Sequence, residues 1–546
     1  MTLRPFIAAA ALTLAAGCGR SGGEAGRPVA RLTHGARVGI DPVPAVHLFE
    51  NHSASLIVWR RAGVRDRILV HLDGHADLDW LPDATIARLA AADPDELQAL
   101  ELHPYAIDGK TLERFGIWDF IYPAARLGLV REYVWVVPDG TLRDPQAAEE
   151  LVRQMVLGKM QMIPLDEART LHLEGRTIHG TILGLKTTIC ELDDLPTFDE
   201  PVLLDVDLDF LTTRSASSQE VTARPSLVPG PLVARLRARG VRADIATISF
   251  STMGGFLPPA CRWLGPALVA ALERAPDAEG DRWTRRAEAD AASEAGRESA
   301  AVATWRALSA EHPEDGSLWY ALSRAEAKSG RSSAEAAALA KAVAADPVLE
   351  DAPLFEADAL WLNQRYAEAL DVYKDYRRAR PSGPFLAYTL RREAGCLVRT
   401  GHADEAIATF RKVIAIAPDH ADTRLDLGLL LRDRGDLDGA IAQFLEARKI
   451  LPDLAAYAMV LGTTYAKQGR IGEAVGALEV AVSRRPTWVQ AQVNFGLLLA
   501  QVGRPVDAAT HLNAAAMLEP RDPQIARLLA RLRRQGITTT EVAAHP

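Results

Sequence analysis

The chain has little cysteine, with four in 546 residues, at Cys18, Cys190, Cys261 and Cys396, widely separated and without any CxxC pair. That excludes a disulfide framework or a zinc knuckle as the organising element of the fold. Beyond its N-terminus the chain also lacks any apolar run of about 18 residues, so no second membrane-spanning helix is expected. Positive charge is not in excess. With 62 Lys and Arg against 71 Asp and Glu the net charge is -9, which argues against nucleic-acid binding, where affinity rests on neutralising phosphates. What remains is a globular composition, 48% hydrophobic and 24% charged, in a chain long enough to need at least two domains.

The first residues, MTLRPFIAAAALTLAAGCGR, carry a positive charge at Arg4, an apolar stretch from Phe6 to Ala16 and small residues leading to Cys18. This is the pattern of a secretory signal. The sequence LAAGC resembles the bacterial lipobox, which implies a signal peptide over 1–17 and lipidation of Cys18. Gly19 stands where inner-membrane lipoproteins carry Asp, so the resemblance implies a bacterial envelope protein at the outer membrane, facing the periplasm and touching the membrane through its lipid anchor only. Residues 18–34, rich in Gly, Arg and Ser, read as a flexible tether.

The C-terminal half is periodic. Pro313, Pro347 and Pro381 lie 34 residues apart, as do Pro418, Pro452, Pro486 and Pro520 after one 37-residue interval. Twelve residues before five of these prolines stands Ala369, Ala406, Ala440, Ala474 or Ala508, and four residues later a large residue, Tyr373, Phe410, Phe444, Leu478 or Leu512. Gly428, Gly462 and Gly496 keep the same spacing. The period is that of the tetratricopeptide repeat, a helical hairpin whose small and large residues interlock. We expect about seven repeats over 282–522, the first degenerate and containing Trp283 and Trp305, then a capping helix over 523–535 and a tail over 536–546. Such an all-α solenoid usually holds a protein or extended peptide on its concave face, though it could instead only brace or dimerise the N-terminal domain.

Residues 35–273 alternate short β-rich runs (LIVW, RILVHLD, YVWVV, VLLDVDLDF, IATISF) with helical ones, which argues for an α/β domain with a mostly parallel sheet covered on both faces, a three-layer αβα arrangement. Two acidic motifs fall at strand ends, DGHADLD at Asp73 to Asp79 and DVDLD at Asp205 to Asp209. In an extended segment Asp73, His75 and Asp77 point the same way, and so do Asp205, Asp207 and Asp209. Oxygen ligands with imidazole suit a divalent metal such as Mn, Fe or Zn better than Mg. Up to two ions about 3.5–4 Å apart could share such a cluster and activate a water. Asp209 and Asp79 alone read as solvated or capping carboxylates, and His71 as a satisfied core histidine.

The order ENHSAS with His52, then DGHAD, then DVDLD, resembles the arginase and histone-deacetylase superfamily. IWDFIYPAARLG, VWVVP and LLDVDLDFLTT are more closely similar to uncharacterised protein family 0489, an arginase-like group. The resemblance covers roughly residues 40–260 and implies an arginase-like fold. It implies one metal site of His52, Asp73, Asp77 and Asp205 and another of Asp73, His75, Asp205 and Asp207, hydrolysing C–N bonds of a small molecule such as an amidine, guanidine or amide. Arginases place a further Asp three residues after the second of the DxD pair, whereas here Asp209 comes two after Asp207. Two other readings stay open: a non-catalytic repeat scaffold whose arginase-like domain is degenerate, and a phosphatase-type loop with an Asp nucleophile.

Overall fold

Runs of aliphatic and β-branched residues bounded by turns become the strands of one sheet. In chain order they are β1 (Ala45–Phe49), β2 (Arg67–Leu72), β3 (Val130–Val137), β4 (His172–Glu174), β5 (Thr177–Ile182), β6 (Leu185–Glu191), β7 (Val202–Asp207) and β8 (Ala243–Ser249). This computed structural model describes residues 43–107, 111–157, 163–213, 225–273, 280–452 and 454–534. The expected signal peptide, Cys18, the tether and the tail lie outside the described residues.

The strands lie in the order β1-β8-β7-β2-β3-β6-β5-β4. The first six pair in parallel, and β5 and β4 extend one edge antiparallel. Side-chain alternation sorts the core to two faces. Leu69, Leu203, Tyr133 and Trp135 pack toward helices Ala54–Arg61, Asp83–Ala91 and Pro94–Leu100. Val70, Leu72, Val134, Leu204, Val206 and Ile248 pack toward Pro229–Ala238 and Leu264–Glu273. One expected strand is corrected: LIVW lies in the helix Ala54–Arg61. Leu56 and Trp59, three residues apart, are both fully buried while Arg61 faces solvent, a helical period that so short an apolar run conceals.

From Gly280 onward helix packs on helix. Among the described residues fourteen helices pair as seven hairpins, from Gly280–Glu294 with Glu298–Glu311 to Val489–Gln501 with Pro505–Leu518, and a fifteenth, Pro523–Arg534, closes the row. The periodic glycines have a steric cause. A Cβ on Gly428 would stand 2.4 Å from the Phe444 ring, and one on Gly462 2.6 Å from Leu478 Cγ.

The array is docked along the α/β domain. A single apolar cluster runs from Leu69 and Tyr133 of the sheet to Phe355, Tyr388 and Phe444 of the repeats. Segments following β2, β3 and β8 meet repeats over most of the array. Tyr105 packs on Tyr388 with ring centroids 4.3 Å apart, Arg262 pairs with Asp346 at 2.7 Å, and Glu149 pairs with Arg521 at 2.9 Å.

Each hairpin turn contains one left-handed residue. Gly296, Gly330, Gly401, Gly435, Gly469 and Gly503 have φ between +69° and +89°, but the third hairpin uses Gln364 at +59°. A side chain in that region costs about 1–2 kcal/mol, partly offset by the greater freedom glycine gives the unfolded chain. Gln364→Gly should therefore raise stability by ~0.5–1 kcal/mol. Gly428→Ala, which forces a methyl onto Phe444, should lower it by ~1–3 kcal/mol. Denaturant titration of both variants measures the pair of opposite shifts.

Candidate metal centre

Four parallel strands deliver the candidate side chains to one edge of the sheet. His52 follows β1, Asp73, His75 and Asp77 follow β2, Asp207 ends β7, Asp209 lies in the 3-10 turn Leu208–Leu211, and Ser251 follows β8. The carboxyl ends of parallel strands are where such sheets gather ligands. β3 steadies the loop after β2: Tyr133 OH donates to the Ala76 carbonyl at 2.6 Å and Trp135 Nε1 to the Asp73 carbonyl at 3.0 Å.

Beneath the centre a polar row crosses the sheet, because the register sets His71 opposite Asp205 and Asp205 opposite Thr247. Asp205 Oδ1 accepts from Ser55 Oγ at 2.7 Å and Thr247 Oγ1 at 2.5 Å. Its Oδ2 lies 2.7 Å from His52 Nε2 and 2.8 Å from His71 Nδ1. Both oxygens of this fully buried carboxylate are thereby committed. Burial alone would raise its pKa, but His52 and His71 hold it well below the usual carboxylate range.

The other nitrogen of His52 faces the opposite way. Its Nδ1 lies 3.0 Å from Asp77 Oδ2, 3.1 Å from Asp207 Oδ2 and 3.4 Å from Asp73 Oδ2, none of them with hydrogen-bond geometry. His75 Nδ1 stands 2.9 Å from Asp209 Oδ2 and 3.3 Å from Asp73 Oδ1. Asp73 thus sits between two groups, His52 with Asp77 and Asp207 on one side and His75 with Asp209 on the other. All four carboxylates are buried, none more than 6% exposed. Two backbones here are left-handed without glycine, Asp77 at φ +45° and Ser251 at φ +46°, a strain that persists only where the surroundings enforce it.

Carboxylates crowded like this cannot all stay ionised unaided. Burial and the neighbouring Asp73 push Asp77 up to about 6. Burial, with Asp73 and Asp207, raises Asp209 well above its ordinary value. For Asp73, burial is outweighed by His52, His71 and His75, which hold it low. Of the atoms that face one another, His52 Nδ1 and Asp73 Oδ2 are buried without a hydrogen-bond partner, 3.4 Å apart. An unpaired imidazole nitrogen against an unpaired carboxylate oxygen, ringed by further carboxylates, fits a divalent cation. Among the described residues, ligand atoms within 4.8 Å of one another occur in three overlapping sets, His52–Asp73–Asp77, Asp73–His75–Asp209 and the hydrogen-bonded His52–His71–Asp205.

The structure brings the expected residues His52, Asp73, His75, Asp77, Asp205 and Asp207 to one place, with a change of depth. Asp205 lies behind the His52 ring. Asp209, expected as a solvated or capping carboxylate, occupies the position beside His75. His71 links Asp205 to Asp73, its Nε2 3.2 Å from Asp73 Oδ2. Strict alternation set all three carboxylates of DVDLD on one side but could not say that β7 stops at Asp207, which folds Asp209 back over the centre.

The tetratricopeptide repeat family matches residues 286–350, 351–384, 397–462 and 459–526. Together with the seven hairpins this makes the C-terminal region a tetratricopeptide-repeat solenoid, joined to an N-terminal α/β domain with a mostly parallel sheet. Among solved structures, the chain is similar to MamA at 21% identity over 30% of this chain and 95% of that one, with a TM-score of 0.28. A thermophilic TPR protein of Thermus thermophilus is similar at 20% identity over 34% of this chain and 99% of its own, with a TM-score of 0.28. The Cut9-Hcn1 hetero-tetramer of APC/C is similar at 18% identity over 46% and 50%, with a TM-score of 0.31. No curated protein matches the chain.

In the metal-free protein the pKa of Asp77 rises from 3.8 unfolded to about 6 folded. A carboxyl raised in this way costs stability once it must ionise, so the penalty is absent below about pH 4 and complete well above about pH 6. Asp77→Asn should stabilise the metal-stripped protein at pH 8 by ~2–3 kcal/mol and change little at pH 4. Chemical denaturation at the two pH values measures it.

Proposed function

We propose that the α/β domain is a metal-dependent hydrolase of C–N bonds, arginase-like in kind, acting on a small amidine, guanidine or amide, and that the repeat array adds a surface for a protein or peptide. The observation that carries this is the double grouping about Asp73, His52–Asp77–Asp207 and His75–Asp209. One ion would be held by His52 Nδ1, Asp73, Asp77 and Asp207, and a second by Asp73, His75 and Asp209, with Asp73 common to both. The facing DxD is then Asp207–Asp209, two residues beyond the Asp205–Asp207 pair that the arginase resemblance implies. Asp205 acts from behind, fixing the His52 ring through its other nitrogen as outer carboxylates do for metal-binding imidazoles. The mixed carboxylate and imidazole set favours Mn, with Fe or Zn as alternatives.

Ions so held polarise a substrate and lower the pKa of water. The chain's own residues orient and enclose. Ser251 Oγ donates to Asp207 Oδ2 at 2.5 Å, which fixes the rotation of that carboxylate. Phe120, 4.7 Å from the His52 ring, walls the inner side. Phe256 and Trp118 stand edge-on to His75 at 5.0 and 5.7 Å, narrowing the approach. The lipobox-like LAAGC supports attachment of the whole protein to the bacterial envelope through Cys18. The competing reading, a silent scaffold, draws on the near-complete burial of the centre.

Metal content by inductively coupled plasma mass spectrometry separates the two. The protein should carry about two Mn, Fe or Zn ions per chain, none in Asp73→Ala and about one in Asp207→Ala or Asp209→Ala. Metal-dependent release of ammonia or amine from an amide and guanidine panel should follow the same order. Protein that stays metal-free after reconstitution with each ion would leave only the scaffold.

A further inference from the structure

The loop following β8 joins the centre to the repeats. It starts at Ser251, bonded to Asp207, and carries Phe256 against His75. Its outer side lies on the array. A Cβ on Gly255 would stand 2.3 Å from Ala359 N and 2.5 Å from the Asp358 carbonyl carbon, both in helix Ala352–Leu362, so backbone touches backbone.

Two polar ties hold this contact. Gly254 N donates to Tyr105 OH at 2.9 Å, and Tyr105 OH donates to Asp358 Oδ2 at 2.7 Å. Asp358 has no exposed surface, and it accepts also from Tyr373 and Tyr388, with Arg392 Nε 3.6 Å away. A carboxylate buried so deeply is costly unless donors surround it, and one of its three hydroxyl donors comes from the α/β domain. The second tie is Arg262, which donates to Thr252 Oγ1 at 2.7 Å and pairs with Glu50 at 2.6 Å and with Asp346 of the array at 2.7 Å. The left-handed Ser251 stands directly before both tied residues, Thr252 and Gly254, and its own hydroxyl bonds Asp207.

We infer that loop 251–257 is a positioning segment through which the repeat array sets the geometry of Asp207, with Tyr105 and Asp358 as its positioning residues. The array then helps to set the geometry of the centre in addition to offering the partner surface proposed above. The inference rests on the metal-centre reading above, and its test distinguishes the two.

Tyr105→Phe keeps the ring and removes only the hydroxyl linking Gly254 to Asp358. Tyr373→Phe removes another donor to Asp358 that has no bond to the loop. Hydrogen–deuterium exchange of a peptide spanning 251–257 and Mn2+ affinity by titration calorimetry are read on both full-length variants. In Tyr105→Phe the loop should exchange about tenfold faster and Mn2+ should bind about tenfold more weakly, while Tyr373→Phe leaves both within about twofold. Equal effects of the two variants, or no change in Tyr105→Phe, would overturn the inference. If the wild type binds no Mn2+, the metal reading is what fails, and loop exchange alone decides whether the array holds the segment.

Discussion

Four buried carboxylates crowded together, three about His52 Nδ1 and the fourth against His75, are the constraint on which the rest of this structure depends. Asp73, Asp77, Asp207 and Asp209 come from two strand ends, and their mutual repulsion is relieved only in part by His52, His71 and His75. The protein answers the constraint in layers. Asp205 sits one pleat deeper, its oxygens filled by Ser55, Thr247, His52 and His71, and so fixes the imidazoles from behind. Tyr133 and Trp135 hold the loop carrying Asp73 and Asp77, and Ser251 holds Asp207. The strained backbones at Asp77 and Ser251 fall within this group, where packing and hydrogen bonds can enforce them.

The solenoid was almost fully legible in the sequence, because its period is a steric rule repeated: a glycine must face Phe444, Leu478 or Leu512, and any larger residue would collide. The sheet was legible where strands are buried on both faces, as in RILVHL and VLLDVD. LIVW misled because four apolar residues fit a strand or a buried helix equally, and the burial of Leu56 and Trp59 settles it only after folding. Strands β4 to β6, on the side of the sheet that ends at the β4 edge, carry mixed polar residues and gave no comparable signal.

At the centre the residue types were readable but their depth was not. Alternation places Asp205, Asp207 and Asp209 alike, and only the end of β7 at Asp207 separates the buried support from the two facing carboxylates. His71 and Asp209 therefore looked ordinary in the sequence. The union of the two halves was equally hidden, since nothing in a 34-residue period says that Asp358 of one repeat will accept a hydrogen bond from Tyr105, 253 residues earlier. Such long-range pairs make the array a wall of the α/β domain, so the array and the centre share one packed body.

Whether Asp207 and Asp209, rather than Asp205, would hold a metal is decided by anomalous diffraction at the manganese edge on crystals grown with Mn2+. Density is expected between His52 Nδ1 and the carboxylates of Asp73, Asp77 and Asp207, with a second peak beside His75 and Asp209, and none on the Asp205 side of the His52 ring. Density at Asp205 and His71, or none anywhere in the cluster, would contradict this assignment.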